Sequence, residues 1–343
     1  MTSSDRLHIC HVLLTDRFAG SERYAIELAN HQARTHRVSL LLPKSAAEDR
    51  PDALAHRVSP DVQIHLLGGF KLLRTFGARQ VLRKLRPDVA HAHLSQACKT
   101  LGSLSSARML RVGTLHIHYK AQQHRHLDAL IAIAPWQLKD VPDGLPCEAI
   151  DNWSAPTPAA PGARETLRAA LGLSPSTRLI GALGRAEHSK GLDVLLEAWK
   201  QAAIPDARLA IVGHGRDWES LRRQAPSDVL MPGFVSDPQD WFAAFDGFVS
   251  AARSEPFGLV FLEAMHAGLP VLASDSQGAR HLQTLIDRPL VPREDVGALA
   301  QALRAFAATL PARRGYDLSG FDLPAQAARI DDFYRRHLAE LRS

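Results

Sequence analysis

Two short stretches hold the residues best suited to chemistry. In Ser254–Leu282 (SEPFGLVFLEAMHAGLPVLASDSQGARHL), Glu255 and Glu263 stand eight positions apart around Pro256 and Gly258. Pro256 stiffens a loop, and Gly258 lets the backbone come close to a ligand. A helix is expected from Gly258 to Ala267, ended by Gly268 and Pro270. Its amino-terminal N–H groups, near Phe257, Gly258 and Leu259, suit an anion such as a diphosphate. Glu255 would lie just outside that helix and Glu263 inside it, and carboxylates accept hydrogen bonds from sugar hydroxyls. The second stretch, Gly184–Trp199 (GRAEHSKGLDVLLEAW), places Arg185 and Lys190 on a loop that leads into a helix. Two cations there would neutralise phosphate. Taken singly, each pair also reads as ordinary solvated surface.

These residues need elements to hold them. Apolar runs of strand length alternate with amphipathic segments throughout, the pattern of βαβ units with parallel sheets. Strands are expected at His8–Leu14, Arg37–Leu42, Gln63–Leu66, Val89–Ala92, Val112–His116 and Ala129–Ala134. A second set is expected at Arg178–Leu183, Arg208–Val212, Val229–Met231, Gly247–Ser250 and Val271–Ala273. Helices fall between them, including Ser21–Arg34, Leu72–Leu85, Leu94–Met109 and Gly191–Gln201. Asn152–Ala163 (NWSAPTPAAPGA), with three prolines, marks the domain boundary. The expected division is 1–155 and 156–323, with the last helix, Pro324–Leu341, packing back on the first domain. In such doubly wound domains ligands bind beyond the carboxyl ends of the strands, here around one central cleft.

Composition narrows the class. The 343 residues suit two domains, with 45% apolar and 22% charged residues. Three separated cysteines, Cys10, Cys98 and Cys147, form no C-x-x-C pair and read as reduced thiols. The first residues do not read as a signal peptide, and no apolar run has spanning length, so a cytoplasmic protein is expected. Residues 1–155 hold 20 Lys+Arg against 14 Asp+Glu, and the remainder 21 against 22. A basic first half suits an anionic partner, though no nucleic-acid module accompanies it. Phe70–Arg86 mixes leucines and phenylalanines with six cations: it either covers the sheet with a cationic outer face or rests on anionic lipid. No D-x-D, G-x-G-x-x-G, G-x-S-x-G or P-loop string is present, and no metal site is expected.

The string from Val249 to Val271 resembles the E-x7-E signature of retaining glycosyltransferases of family 4, and the likeness extends along nearly the whole chain. The resemblance implies the α/β GT-B fold, two Rossmann-like doubly wound domains facing a central cleft. It implies that Glu255 contacts hydroxyls of a donor sugar, Glu263 the ribose, and Arg185 and Lys190 the donor diphosphate. Ala210–Gly215, with Gly213, resembles the family's glycine-rich strand end, and Met231–Asp237 the segment lining the nucleobase. Gly278 fits a second backbone approach near the phosphates. Phe18–Tyr24 (FAGSERY) matches the first-domain loop, with Gly20 closing over the donor and Glu22 as the usual acid; Ala19 replaces a usual glycine. His116 matches a strand-end histidine facing the substrates, a hydrogen-bond donor rather than an obligate base. The implied activity is metal-independent, retaining sugar transfer from a nucleotide sugar, a UDP-sugar favoured over a GDP-sugar, with no cofactor. The acceptor would be a glycan or a lipid-linked acceptor in bacterial surface polysaccharide or lipopolysaccharide biosynthesis, met on the inner face of the cytoplasmic membrane. The rivals are an epimerase of the same fold and a nucleotide-sugar-binding protein without turnover.

Overall fold

Among the described residues every strand is parallel to its neighbours, so each connection within a sheet must cross back over a sheet face, and helices supply those crossings. The computed structural model describes residues 6–104 and 108–343. It divides into two units, one of residues 1–153 with 320–343 and one of residues 154–319.

The first unit is built on seven strands: β1 (His8–Leu13), β2 (Arg37–Pro43), β3 (Gln63–Leu67), β4 (Val89–His93), β5 (Leu110–Leu115), β6 (Ala129–Ala132) and β7 (Cys147–Ala149). Their order is β3-β2-β1-β4-β5-β6-β7. Alternation along the strands divides the buried side chains between the two faces. Cys10, Val12, Ala90 and Ala92 pack on one face with Ala78, Leu82 and Cys98. Leu13, Leu40 and Leu42 pack on the other with Ala25, Ile26 and Ala29 of the Gly20–Gln32 helix. The carboxyl-terminal helix, Leu323–Arg342, also belongs to this unit, burying Ile330, Phe333, Tyr334 and Leu338.

The second unit carries β8 (Arg178–Leu183), β9 (Ala207–Val212), β10 (Val229–Gly233), β11 (Gly247–Ser250) and β12 (Val271–Ala273), ordered β10-β9-β8-β11-β12. The helices at Leu192–Ala202 and Val296–Ala308 bury leucines, Trp199 and Phe306 against Ile180, Leu209, Ile211 and Val249.

Three expectations change. The short β7 at the sheet edge carried no periodic signal. The helix expected at Leu94–Met109 ends at Gly102, where residues 101–103 already close in a tighter turn; residues 105–107 of that span lie outside the described residues. The Lys71–Leu85 helix does not cover the sheet along its length. Only Ala78 and Leu82 of that helix are buried, while Phe70, Leu72, Leu73 and Phe76 stand exposed.

Candidate functional site

In the second unit the chemistry-bearing residues sit on loops that leave the carboxyl ends of β8, β9, β11 and β12, and backbone hydrogen bonds tie these loops together. Ala186 N–H donates to the carbonyl of His214 at 3.2 Å, and Ser254 N–H to that of Ser189 at 3.1 Å. Gly278 N–H donates to the carbonyl of Glu255 at 2.7 Å. A chain folded this way holds its donors and acceptors in place before any ligand arrives, which is what electrostatic catalysis requires.

The β8 and β11 loops bring Lys190 and Glu255 together, 65 positions apart in sequence. Lys190 Nζ donates to Glu255 Oε2 at 2.5 Å, and only 12% of the Glu255 side chain is exposed. Both line a recess of about 20 Å³ together with Gly184, Ser250, Ala251 and Val260. Arg185 is on the same loop but points outward, 70% exposed, with Glu187 Oε1 at 3.1 Å. The structure therefore places Lys190 at the recess and Arg185 at its approach.

The loop after β11 runs into the Leu259–His266 helix. Gly258 caps that helix at φ +97°, in the left-handed region that glycine tolerates, and a β-carbon there would lie 2.3 Å from the Phe261 ring. Phe257 is buried, its ring beside that of His281, and anchors the turn from below. Leu259 opens the helix, and Glu263 follows one turn later, half-buried. Gly213 and Gly278 serve the loops themselves. A β-carbon on Gly213 would lie 2.0 Å from the carbonyl oxygen of Gly184, and one on Gly278 would lie 2.3 Å from that of Phe257. The close approach at both positions is between protein segments.

In the first unit, Gly20 begins the first helix, exposed, and the space where its β-carbon would sit is open. Glu22 is buried and accepts a hydrogen bond from Thr15 Oγ1 at 2.8 Å. His116 follows β5 with its Nε2 buried and without a hydrogen-bond partner among the described residues, and the edge of its ring meets Tyr24. Burial pushes its pKa down to about 3, so the ring is neutral near pH 7.

His116 has company, the ring of His93 lying 5.8 Å from its own. Register places His11 opposite His91 and Leu13 opposite His93, so His11, His91 and His93 share one sheet face. His11 Nδ1 and His93 Nε2 share a hydrogen bond of 3.0 Å, and His11 Nε2 meets Gln32 Oε1 at 2.8 Å. Gln32 in turn donates to Asp331 Oδ1 at 2.6 Å. His91 contacts Tyr334 Oη at 2.6 Å and Thr114 Oγ1 at 2.7 Å. One ring nitrogen from each of the three lies within 4.8 Å of the others, a composition that would hold a metal. Of the six ring nitrogens of these histidines, all but His93 Nδ1 have a hydrogen-bond partner among the described residues. The cluster was legible only once strand pairing was known.

Comparison with known proteins agrees with this architecture. Residues 18–160 match a family model described as Glycosyltransferase Family 4, and residues 177–309 one described as Glycosyl transferases group 1. A GDP-mannose-dependent monoacylated alpha-(1-6)-phosphatidylinositol monomannoside mannosyltransferase of Corynebacterium glutamicum is 36% identical over 161 residues. That match spans 43% of this chain and 42% of the relative, less than half of its length. A lipopolysaccharide core biosynthesis mannosyltransferase of Rhizobium meliloti is 27% identical, over 62% of this chain and 68% of the relative. Among solved structures, the sucrose-phosphate synthase of Thermosynechococcus elongatus superposes with a TM-score of 0.77 at 21% identity, covering 98% of this chain and 100% of that one. The two family models between them span both units, and the chain belongs to glycosyltransferase family 4, on the GT-B fold.

Proposed function

We propose that the protein is a metal-independent, retaining glycosyltransferase that moves a sugar from a nucleotide sugar to a glycan or lipid-linked acceptor of the bacterial surface. The observation that carries this reading is the Lys190–Glu255 pair at the loop junction beside the Gly258 helix start. A donor diphosphate laid there meets the Lys190 ammonium and the helix amino terminus, with Arg185 swinging in from solvent. These cations supply the charge neutralisation that a metal–diphosphate site provides elsewhere. Glu255 then accepts from donor-sugar hydroxyls and Glu263 from the ribose. His116, neutral, offers a hydrogen bond to substrate rather than acting as a base.

Sugar transfer passes through an oxocarbenium-like state, so stabilising the departing diphosphate contributes most. In a retaining front-face reaction the acceptor oxygen bonds to the anomeric carbon as the bond to the phosphate oxygen breaks, and the acceptor proton passes to that oxygen. Thermal unfolding with UDP, GDP and their sugar conjugates, each with EDTA or magnesium, names the donor. A sequence-based reading favours UDP, while the Corynebacterium relative is named for GDP-mannose, so both are required. A ligand at a hundredfold excess over Kd adds about 2.7 kcal/mol of stability. The expected shift with one base is unchanged by EDTA, and the product formed with that donor keeps its anomeric configuration. An inverted product by NMR, or a shift abolished by EDTA, refutes the proposal.

The acceptor setting is proposed from two supports. The relatives named above act, by their names, on a phosphatidylinositol mannoside and on lipopolysaccharide core. The Lys71–Leu85 helix presents Leu72, 73% exposed, with Phe70, Leu73 and Phe76 beside Lys71, Arg74, Arg79 and Arg83. Apolar side chains standing among cations suit an anionic bilayer surface, each cation contributing about 1 kcal/mol near the headgroups. Among the described residues no helix is long and apolar enough to cross a membrane. The contact proposed is peripheral, at the cytoplasmic face. The protein is expected to float with vesicles containing acidic lipid, and the triple variant Leu72→Ser/Leu73→Ser/Phe76→Ser to stay in the soluble fraction. Equal recovery of wild type and variant with the vesicles would remove the membrane reading.

A further inference from the structure

We propose that Arg253 is the positioning residue of the donor-phosphate site, locking the loop that carries Lys190 to the loop that carries Glu255. The inference rests on the reading of that site given above. Arg253 stands two residues before Glu255, its side chain 15% exposed. Its guanidinium grips Asp193 at both oxygens, from Nη1 at 2.7 Å and Nη2 at 2.8 Å. Nη1 also donates to the carbonyl of His188 at 3.0 Å, and Nε to Glu294 Oε1 at 2.9 Å.

His188 and Asp193 flank Lys190, two residues before it and three after. One guanidinium therefore holds both ends of the turn that presents the ammonium. The backbone bond from Ser254 to Ser189 fastens the middle of the same junction. Gly191 completes it at φ +60°, where a β-carbon would lie 2.1 Å from the carbonyl oxygen of Ala251.

The far side of Arg253 is built around it as well. Arg293 Nη1 donates to the Arg253 carbonyl at 3.1 Å. Glu294, whose carboxylate receives Nε, adopts φ +63°, a left-handed conformation disfavoured for a residue with a side chain. The fold accepts strain at the residue that completes the guanidinium's partners. Exposed ion pairs seldom contribute much, but a bidentate fork within a network is the exception. Arg253 is never needed at the ligand: it acts by fixing where Lys190 stands against Glu255. A lysine keeps the charge but loses the planar fork, so it cannot hold both ends of the turn.

Two readouts test this, one free of any ligand. Carbodiimide couples an amine to a carboxylate in contact, so the ligand-free wild type is expected to give an intramolecular Lys190–Glu255 cross-link, read by mass spectrometry. In Arg253→Lys, and in Asp193→Asn, which changes only an exposed partner, that cross-link is expected to fall several-fold. In the same variants affinity for the matching nucleoside diphosphate is expected to fall about tenfold, the loss of one charged contact, with the phosphate-free nucleoside within about twofold. A merely structural role would weaken both ligands together or neither. Undiminished cross-linking and phosphate preference in both variants, with a wild type that binds nucleotide, overturns the role of Arg253 alone. A wild type that cross-links but binds no nucleotide overturns the reading of the donor site, and with it this role.

Discussion

Lys190→Ala is expected to lower turnover by about 10²–10³-fold, the scale on which loss of a single preorganised transition-state contact is felt. Stability should change far less. The substitution strands the Glu255 carboxylate without its cation, but that side chain retains some contact with water. A fully buried pair broken this way costs about 3–5 kcal/mol, and partial exposure reduces the figure to about 1–2 kcal/mol. For a chain of this size that is a fall in Tm of several degrees at most. The double variant Lys190→Ala/Glu255→Gln removes the stranded charge, so its Tm should recover while turnover stays low. Arg185→Ala should show a smaller loss, because its guanidinium must move from an exposed position to reach the ligand. Wild-type turnover in Lys190→Ala would rule out the phosphate clamp, and a turnover loss cured by the second substitution would reduce Lys190 to a structural partner.

The second large effect is on stability against acid. Burial pushes His11 down to about 4 and His116 to about 3, and lowers His91 and His93 well below the usual 6.5. All four are neutral in the folded protein near pH 7. The unfolded chain takes up protons at these histidines from about pH 6.5 downward, whereas the folded protein does so only near the depressed values. Between those limits the unfolded state binds more protons, so stability falls as pH falls. At pH 5, His11 and His116 each forfeit about 2 kcal/mol by this linkage, with His91 and His93 adding in the same direction. Against a typical total of about 5–15 kcal/mol, a steep loss of Tm between pH 6.5 and 4 is expected. Thermal unfolding across that range measures it, and His116→Phe, which keeps a ring and removes the titrating group, should flatten the slope. A Tm that holds steady from pH 7 to 4.5 would contradict the burial of the cluster.

Much of the fold could be read residue by residue. The apolar run LIGAL after Arg178 lies inside a parallel sheet, so it appears as an unbroken hydrophobic segment that ends at the Gly184–Arg185 loop, and HICHVL keeps that pattern apart from His8 and His11. That is why β8 and β11 fall where the pattern places them, while the three-residue β7 at an edge gives too little pattern to see. The helix at Lys71–Leu85 shows the limit of such reading. Leucines at helical spacing look the same whether a sheet or solvent lies opposite, and only the packed structure leaves Leu72 and Phe76 exposed.

The same division runs through the candidate site. Residue types and local spacing drew attention to Arg185, Lys190, Glu255, Gly258 and Glu263, because a strand–loop–helix turn that cradles an anion is a local feature of consecutive residues, but it took the family resemblance to set them apart from ordinary surface. Which of those groups meet was settled by strand order. β8 and β11 are neighbours in the sheet, so Lys190 finds Glu255, while Arg185 at the head of the same loop turns to solvent. Arg253 and the buried histidines belong wholly to that second category. Nothing in the neighbours of Arg253 in sequence announces Asp193 and Glu294, and nothing near His11 announces His93. Both sets come from segments far apart in the chain, brought together by parallel pairing whose register single-sequence periodicity does not encode.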